Sequence, residues 1–217
     1  MRLIVAESGG PKATEPEAEY ALMPPAATAS HLKIDLATGL LTGARQVLSP
    51  FCDPRPANVT PDLLVVHGIS LPPGEFGGPW IDRLFTGDLP GSAHPSFEER
   101  VGLRVSAHVL IRRDGELVQY VPFTLRAWHA GVSRYRGREG CNDFSIGVEL
   151  EGADTVPYTD AQYEALTRLA TALLRSYRSL GPEHIVGHSD VAPGRKTDPG
   201  GAFDWVRLRA ALAARSP

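Results

Sequence analysis

The run "DLLVVHGIS", residues 62–70, constrains the fold most. A short apolar stretch bounded by polar and turn residues is what a strand buried on both faces presents, so the chain has to build a sheet around it. The run ends on His67, just before Gly68. A histidine closing such a strand stands at the rim of the sheet, where its side chain can project into a shared pocket. "SAHVLIRRDGELVQYVPF" reads as a hairpin, two β-rich runs around the turn signal Asp114-Gly115. "FSIGVELEG" is a further buried strand broken by Gly152, and "HIVGH" is a last short strand that feeds the loop "GHSDVAPGRKTDPG".

Helical signals fall between and after these runs. Thr159 and Gln162 make a capping box, followed by Tyr163, Leu166, Leu169, Ala170, Leu173, Leu174 and Tyr177 on one face, with Gly181 as the expected stop. "FDWVRLRAALAA" is a C-terminal helix. The stretch from Leu71 to Gly102 is turn-rich and is expected to hold two short helices; structureless loops beyond about 12–15 residues tend to be functional. The first 36 residues are rich in Pro, Ala and Glu without periodicity, so residues 1–36 read as a disordered or loosely docked extension and 37–217 as one domain.

With 217 residues and 42% hydrophobic content the chain buries one sizeable core. A net charge of -3 gives no broad basic field, which argues against nucleic acid or an anionic membrane as partner and for a small-molecule substrate. Cys52 and Cys141 cannot form a disulfide framework, the start "MRLIVAESGG" has too short an apolar run for a secretory signal, and no stretch reaches transmembrane length. A cytoplasmic protein without an obligate protein partner is expected.

Seven histidines form the inventory of nitrogen ligands. His67 and His188 each close a predicted strand, and Asp198 follows His188 by ten residues on a Pro-punctuated loop that can swing back toward it. Two imidazoles and a carboxylate suit a catalytic zinc, which keeps its fourth position open. A lone histidine at a strand end is more often a surface or satisfied core residue, and no HExxH or paired CxxC is present to decide between the two. Glu149 and Glu151 alternate along their strand and share one face, which by itself suits a solvated sheet face better than a proton carrier. Lys196 is either a fixed charge beside Asp198 or an ordinary loop lysine.

The blocks "LLVVHGISLPPGEFGGPWIDRLFTGDLPGSAHPSFEER", "RVSAHVLIRRDGELVQYVPF", "RAWHAGVSRYRGREGCNDFSIGVELEG" and "GHSDVAPGRKTDPGGAFDW", in that order, closely resemble the AmpD-type 1,6-anhydro-N-acetylmuramyl-L-alanine amidases of bacterial cell-wall recycling. The resemblance runs from about Ala37 nearly to the C-terminus. It implies an α/β (α+β) fold, a single mixed central sheet flanked by helices, with a zinc site in a surface groove at the sheet edge. It further implies His67, His188 and Asp198 as ligands of one zinc per chain, Glu149 as catalytic acid/base and Lys196 as transition-state stabiliser. The implied reaction is hydrolysis of the amide between the lactyl group of (1,6-anhydro-)N-acetylmuramic acid and L-alanine in a muropeptide. A non-catalytic muropeptide-binding module and an amidase of intact murein are the alternatives. Arg104 is expected to bind a substrate carboxylate, Trp128 to stack on sugar or peptide, and His129 to line the pocket or support a ligand; Glu151 is a further candidate for supporting a zinc histidine. Members of the family usually read "HNIS" where this chain reads "HGIS", so Gly68 removes a side-chain amide next to His67.

Overall fold

The computed structural model describes residues 32–215. Six strands form one sheet: β1 (Arg45–Gln46), β2 (Leu63–Ile69), β3 (Val109–Ile111), β4 (Leu117–Gln119), β5 (Ser145–Glu151) and β6 (Ile185–Gly187). Four helices accompany them: α1 (Trp80–Thr86), α2 (Asp160–Ser176), α3 (His188–Val191) and α4 (Trp205–Ala213). The spatial order is β6-β2-β5-β3-β4-β1. All pairs are parallel except the β3–β4 hairpin, so the sheet is mixed.

The apolar run of residues 63–66 is fully buried, as a strand covered on both faces must be. One face of the sheet carries Leu64, Val66, Ile146, Val148 and Leu150, which pack against Leu166, Leu169 and Leu173 of α2 and Leu208 and Leu212 of α4. Thr159 and Gln162 cap α2 reciprocally. The helix ends at Ser176, five residues before Gly181: Tyr177 turns extended, so that its ring and the buried Leu180 drop back onto the same core. That tertiary gain overrides the glycine stop.

The other face is covered in part by the long segment after β2. It contains α1 and two short 3-10 turns, Gly91–Ala93 and Pro95–Arg100, where two helices were expected. Ile81, Leu84, Phe85 and Phe97 pack there on Leu110, Val118 and Tyr120. Replacing the fully buried Phe97 by Ala should cost about 3–5 kcal/mol, read as a lower urea midpoint with an unchanged slope.

Ile34–Asp35 pair antiparallel with Leu40–Leu41, and Leu32 and Ile34 pack against the core of α2 and the sheet. Residues 32–36, expected in the extension, therefore join the folded body, because Leu32 and Ile34 have a place on that core. Residues 1–31 of the expected extension, His31 included, lie outside the described residues. Among the described residues no helix is long and apolar enough to cross a membrane.

Candidate metal centre

Three adjacent parallel strands bring the first groups together. In the β2–β5 ladder Glu149 is the register partner of His67, and in the β2–β6 ladder Gly187 is the partner of Val66, which brings His188 alongside His67. These positions lie toward the carboxyl ends of parallel strands, where open α/β sheets place their ligands. Glu149 shares its face of β5 with Ser145, Gly147 and Glu151, while Ile146, Val148 and Leu150 take the face toward α2.

The ribbon after β6 is more regular than its Pro and Gly content suggests. His188 opens the single-turn α3, because Asp190 Oδ2 accepts from the backbone N–H of Gly187 (2.7 Å) and Ala192 N–H donates to His188 O (2.9 Å). Ser189 N–H donates to Asp198 O at 3.0 Å, which folds the ribbon back on itself. Arg195 ties it to the facing segment by donating to Ala130 O (2.6 Å) and Val132 O (2.7 Å).

His67 Nδ1, His188 Nδ1 and Asp198 Oδ2 converge: the two nitrogens are 2.9 Å apart, and the oxygen lies 3.2 Å from His67 Nδ1 and 3.0 Å from His188 Nδ1. Both imidazoles are buried. His188 Nε2–H donates to Ala130 O at 3.3 Å, which leaves its Nδ1 as a lone pair. Three donor atoms this close can hold a cation among them. Ligands bound at about 2.0 Å to a tetrahedral ion sit roughly 3.3 Å apart, so the chain's own spacing fits a zinc-sized ion. Against the cost of burial, the adjoining His188 and His67 rings hold the Asp198 carboxyl well below the usual range, so it stands ready as an anionic ligand. Burial pushes the His67 imidazole down to about 4, so the ring is neutral at physiological pH, as a ligand must be.

A cleft of about 550 Å³ opens over these atoms and is also lined by Glu149, Lys196, Trp128, Arg100 and Leu103. Among the described residues Glu149 Oε2 is buried without a hydrogen-bond partner. Burial pushes its carboxyl well above the usual carboxylate range, the Asp198 charge adds to this, and the Lys196 charge opposes it. The strand thus aims a proton-holding group into the cleft next to the three converging ligands.

The other expected residues fall out differently. Trp128 lines the cleft, with its Nε1–H donating to Asp53 Oδ1 at 3.2 Å. The guanidinium of Arg104 stacks over the rings of Trp128 (5.1 Å) and Phe51 (5.9 Å); Arg100, which was not singled out in the sequence, lines the cleft instead. His129 lines the cleft, but both ring nitrogens face protein groups: Nδ1 is 2.9 Å from His67 Nε2, and Nε2 is 3.0 Å from Ser145 Oγ. It has no ring nitrogen left for a substrate. Among the described residues Glu151 hydrogen-bonds to no histidine; it accepts from Gly77 N–H (2.6 Å), Arg112 (3.3 Å) and Arg113 N–H (3.3 Å), pinning the segment before α1. At Gly68 the place of a side chain is taken by the hydroxyl of Tyr158, which donates to Pro199 O at 2.9 Å. His108 is held within the sheet, accepting from Gly147 N–H at Nδ1 (3.0 Å) and facing Arg55 at Nε2 (3.0 Å).

Residues 57–201 match the N-acetylmuramoyl-L-alanine amidase family model, which makes sheet, ribbon and cleft those of an amide-cleaving hydrolase. The chain belongs to that family. It is 65% identical over 174 residues to the 1,6-anhydro-N-acetylmuramyl-L-alanine amidase AmpD of Escherichia coli, a match spanning 80% of this chain and 94% of that protein. A crystal structure of a selenomethionine AmpD derivative superposes with a TM-score of 0.80 at 61% identity, covering 82% of this chain and 98% of that one. AmiD of E. coli, solved with the substrate anhydro-N-acetylmuramic acid-L-Ala-D-gamma-Glu-L-Lys, superposes with a TM-score of 0.52 at 29% identity, over 72% of this chain and 60% of that one.

Proposed function

We propose that the chain is a zinc-dependent amidase that hydrolyses the bond between the lactyl group of 1,6-anhydro-N-acetylmuramic acid and L-alanine in free muropeptides, acting in the cytoplasm during peptidoglycan recycling. The observation that carries the reading is the convergence of His67, His188 and Asp198 beside the unpartnered carboxylate oxygen of Glu149. One zinc ion per chain, held by those three side chains, supplies a Lewis acid that activates water and polarises the scissile carbonyl.

The protein's own groups do the rest. Glu149 takes a proton from the attacking water and returns it to the departing amine of L-alanine; its raised affinity for protons suits both transfers. Lys196, on the same cleft, sets a positive charge against the oxyanion that develops on the carbonyl. Trp128, held by Asp53, offers a flat apolar face to the sugar or peptide. The stacked Arg104 and the cleft-lining Arg100 are the cations placed to meet peptide carboxylates. The high identity to AmpD over nearly its whole length supports the free anhydro-muropeptide as substrate.

The test is to incubate zinc-loaded protein separately with anhydro-muropeptide and with intact sacculi and to read products by mass. The expected result is free peptide plus anhydro-muramic acid from the first, with little peptide from the second. Cleavage of sacculi alone would replace recycling with an action on murein, and binding without cleavage of either would leave a recognition module.

A further inference from the structure

Behind the three converging ligands, two residues of the strap between β4 and β5 hold the outer edges of both imidazoles. Ala130 O receives the Nε2–H of His188 at 3.3 Å, and the ring of His129 faces His67 Nε2 at 2.9 Å. Both strap residues hang from a single atom: Asn142 Oδ1 accepts from the backbone N–H of His129 (3.1 Å) and of Ala130 (2.8 Å). The His129 ring meets His67 edge-on, with centroids 4.9 Å apart and planes at 87°.

The ring can sit there only because β5 carries no side chain beneath it. A Cβ added to Gly147 would lie 2.6 Å from His129 Nδ1, nearer than real atoms approach. Two residues earlier on the same face of β5, Ser145 Oγ meets His129 Nε2 at 3.0 Å. Ser145, Gly147 and Glu149 thus form three successive steps on one face of the strand: an anchor, a slot and the proposed proton carrier.

The order of hydrogen atoms along this chain follows from its inner end. A metal at His67 Nδ1 takes the lone pair there, so the proton of the neutral ring is on Nε2 and is donated to His129 Nδ1. His129 then carries its own proton on Nε2 and donates it to Ser145 Oγ. The reverse order, from Ser145 Oγ–H through His129 Nδ1–H to His67 Nε2, would put the His67 proton on Nδ1 and close that atom to a metal. We propose that His129, anchored by Ser145 and seated on Gly147, is a positioning residue that locks His67 in the tautomer and orientation needed for metal binding. This rests on the zinc reading above and assigns His129 a place behind the ligand set, not among substrate contacts.

The experiment measures zinc affinity by competition with a chromogenic chelator, and the zinc-induced rise in melting temperature, for wild type, His129→Phe, His129→Asn and Ser145→Ala. Phe fills the slot without an acceptor, whereas Asn restores an acceptor where Nδ1 stood. Partners of metal ligands typically account for about 10- to 100-fold in affinity, so His129→Phe should lose about that much, Ser145→Ala less, and His129→Asn should recover most of it. The zinc-induced rise should shrink in His129→Phe whatever the offset between the metal-free proteins, because the role is exercised through the ion. Equal zinc affinity in wild type and His129→Phe, or a loss confined to metal-free stability, would overturn the inference while leaving the zinc reading intact; a wild type that takes up no zinc would overturn both. Should His129→Phe fail to fold, two-bond 15N–1H spectra of zinc-loaded wild type decide: His129 protonated on Nε2 supports the assignment, and His129 protonated on Nδ1 rules it out.

Discussion

Asp198→Ala should yield a folded protein that no longer retains zinc through a desalting column and no longer releases peptide from anhydro-muropeptide. Asp198 is the one anion of the ligand set, at 3.2 and 3.0 Å from the two imidazole nitrogens. Without it two neutral rings remain, and the affinity loss should exceed the roughly 10- to 100-fold that outer partners cost. Turnover should fall by on the order of a thousandfold or more, since a Lewis acid on the carbonyl is worth several kcal/mol of transition-state stabilisation. The fold should survive: the main chain of Asp198 keeps its bond from Ser189, and the side chain adds nothing to the three apolar clusters. Zinc by atomic absorption, circular dichroism and a peptide-release assay separate these statements. Full activity in chelated, metal-free protein would remove the metal from the mechanism altogether.

Glu149→Gln is the complementary case. The substitution keeps the shape, removes the proton carrier and touches none of the three ligands, so one zinc per chain should remain. Positioned acid–base groups contribute about 10²–10⁴-fold, and kcat should fall by that factor with KM little changed. Burial disfavours the charged Glu149 carboxyl, and a neutral amide of the same shape avoids that cost, so the variant should melt no lower than wild type. A variant with lost zinc, or with unchanged turnover, would move the acid–base role to another group on the cleft.

Much of this arrangement is legible in the sequence because its signals are local. The run at residues 63–66, the Asp114-Gly115 hairpin and the Thr159–Gln162 box depend on neighbours along the chain, and each appears where the local rules put it. His67 and His188 at strand ends, with Asp198 on the ribbon, follow from periodicity only as candidates; the resemblance selected them from seven histidines. What is missed depends on distant partners. The early end of α2 follows from the fit of Tyr177 and Leu180 to the core, and the membership of residues 32–36 from the same surface. Glu151 shares a face with Glu149, yet its partners Gly77, Arg112 and Arg113 come from two other segments. The roles of Ser145 and Gly147 had a sequence signal that was available: in "SIGVELE" the apolar residues take one face, which leaves Ser145, Gly147, Glu149 and Glu151 on the other.

The β2–β5 ladder also decides which parts of the site can drift independently. Glu149 and His67 are neighbouring rungs of a parallel ladder, held about 4.8 Å apart by backbone hydrogen bonds, while Asp198 and Lys196 travel together on the ribbon. A displacement of the ribbon would move Asp198 and Lys196 jointly and leave Glu149 at a fixed distance from His67. A slip of one residue between β2 and β5 would turn Glu149 into the apolar layer beneath α2. In-register pairing of β2 with β5 therefore also sets Glu149 beside His67.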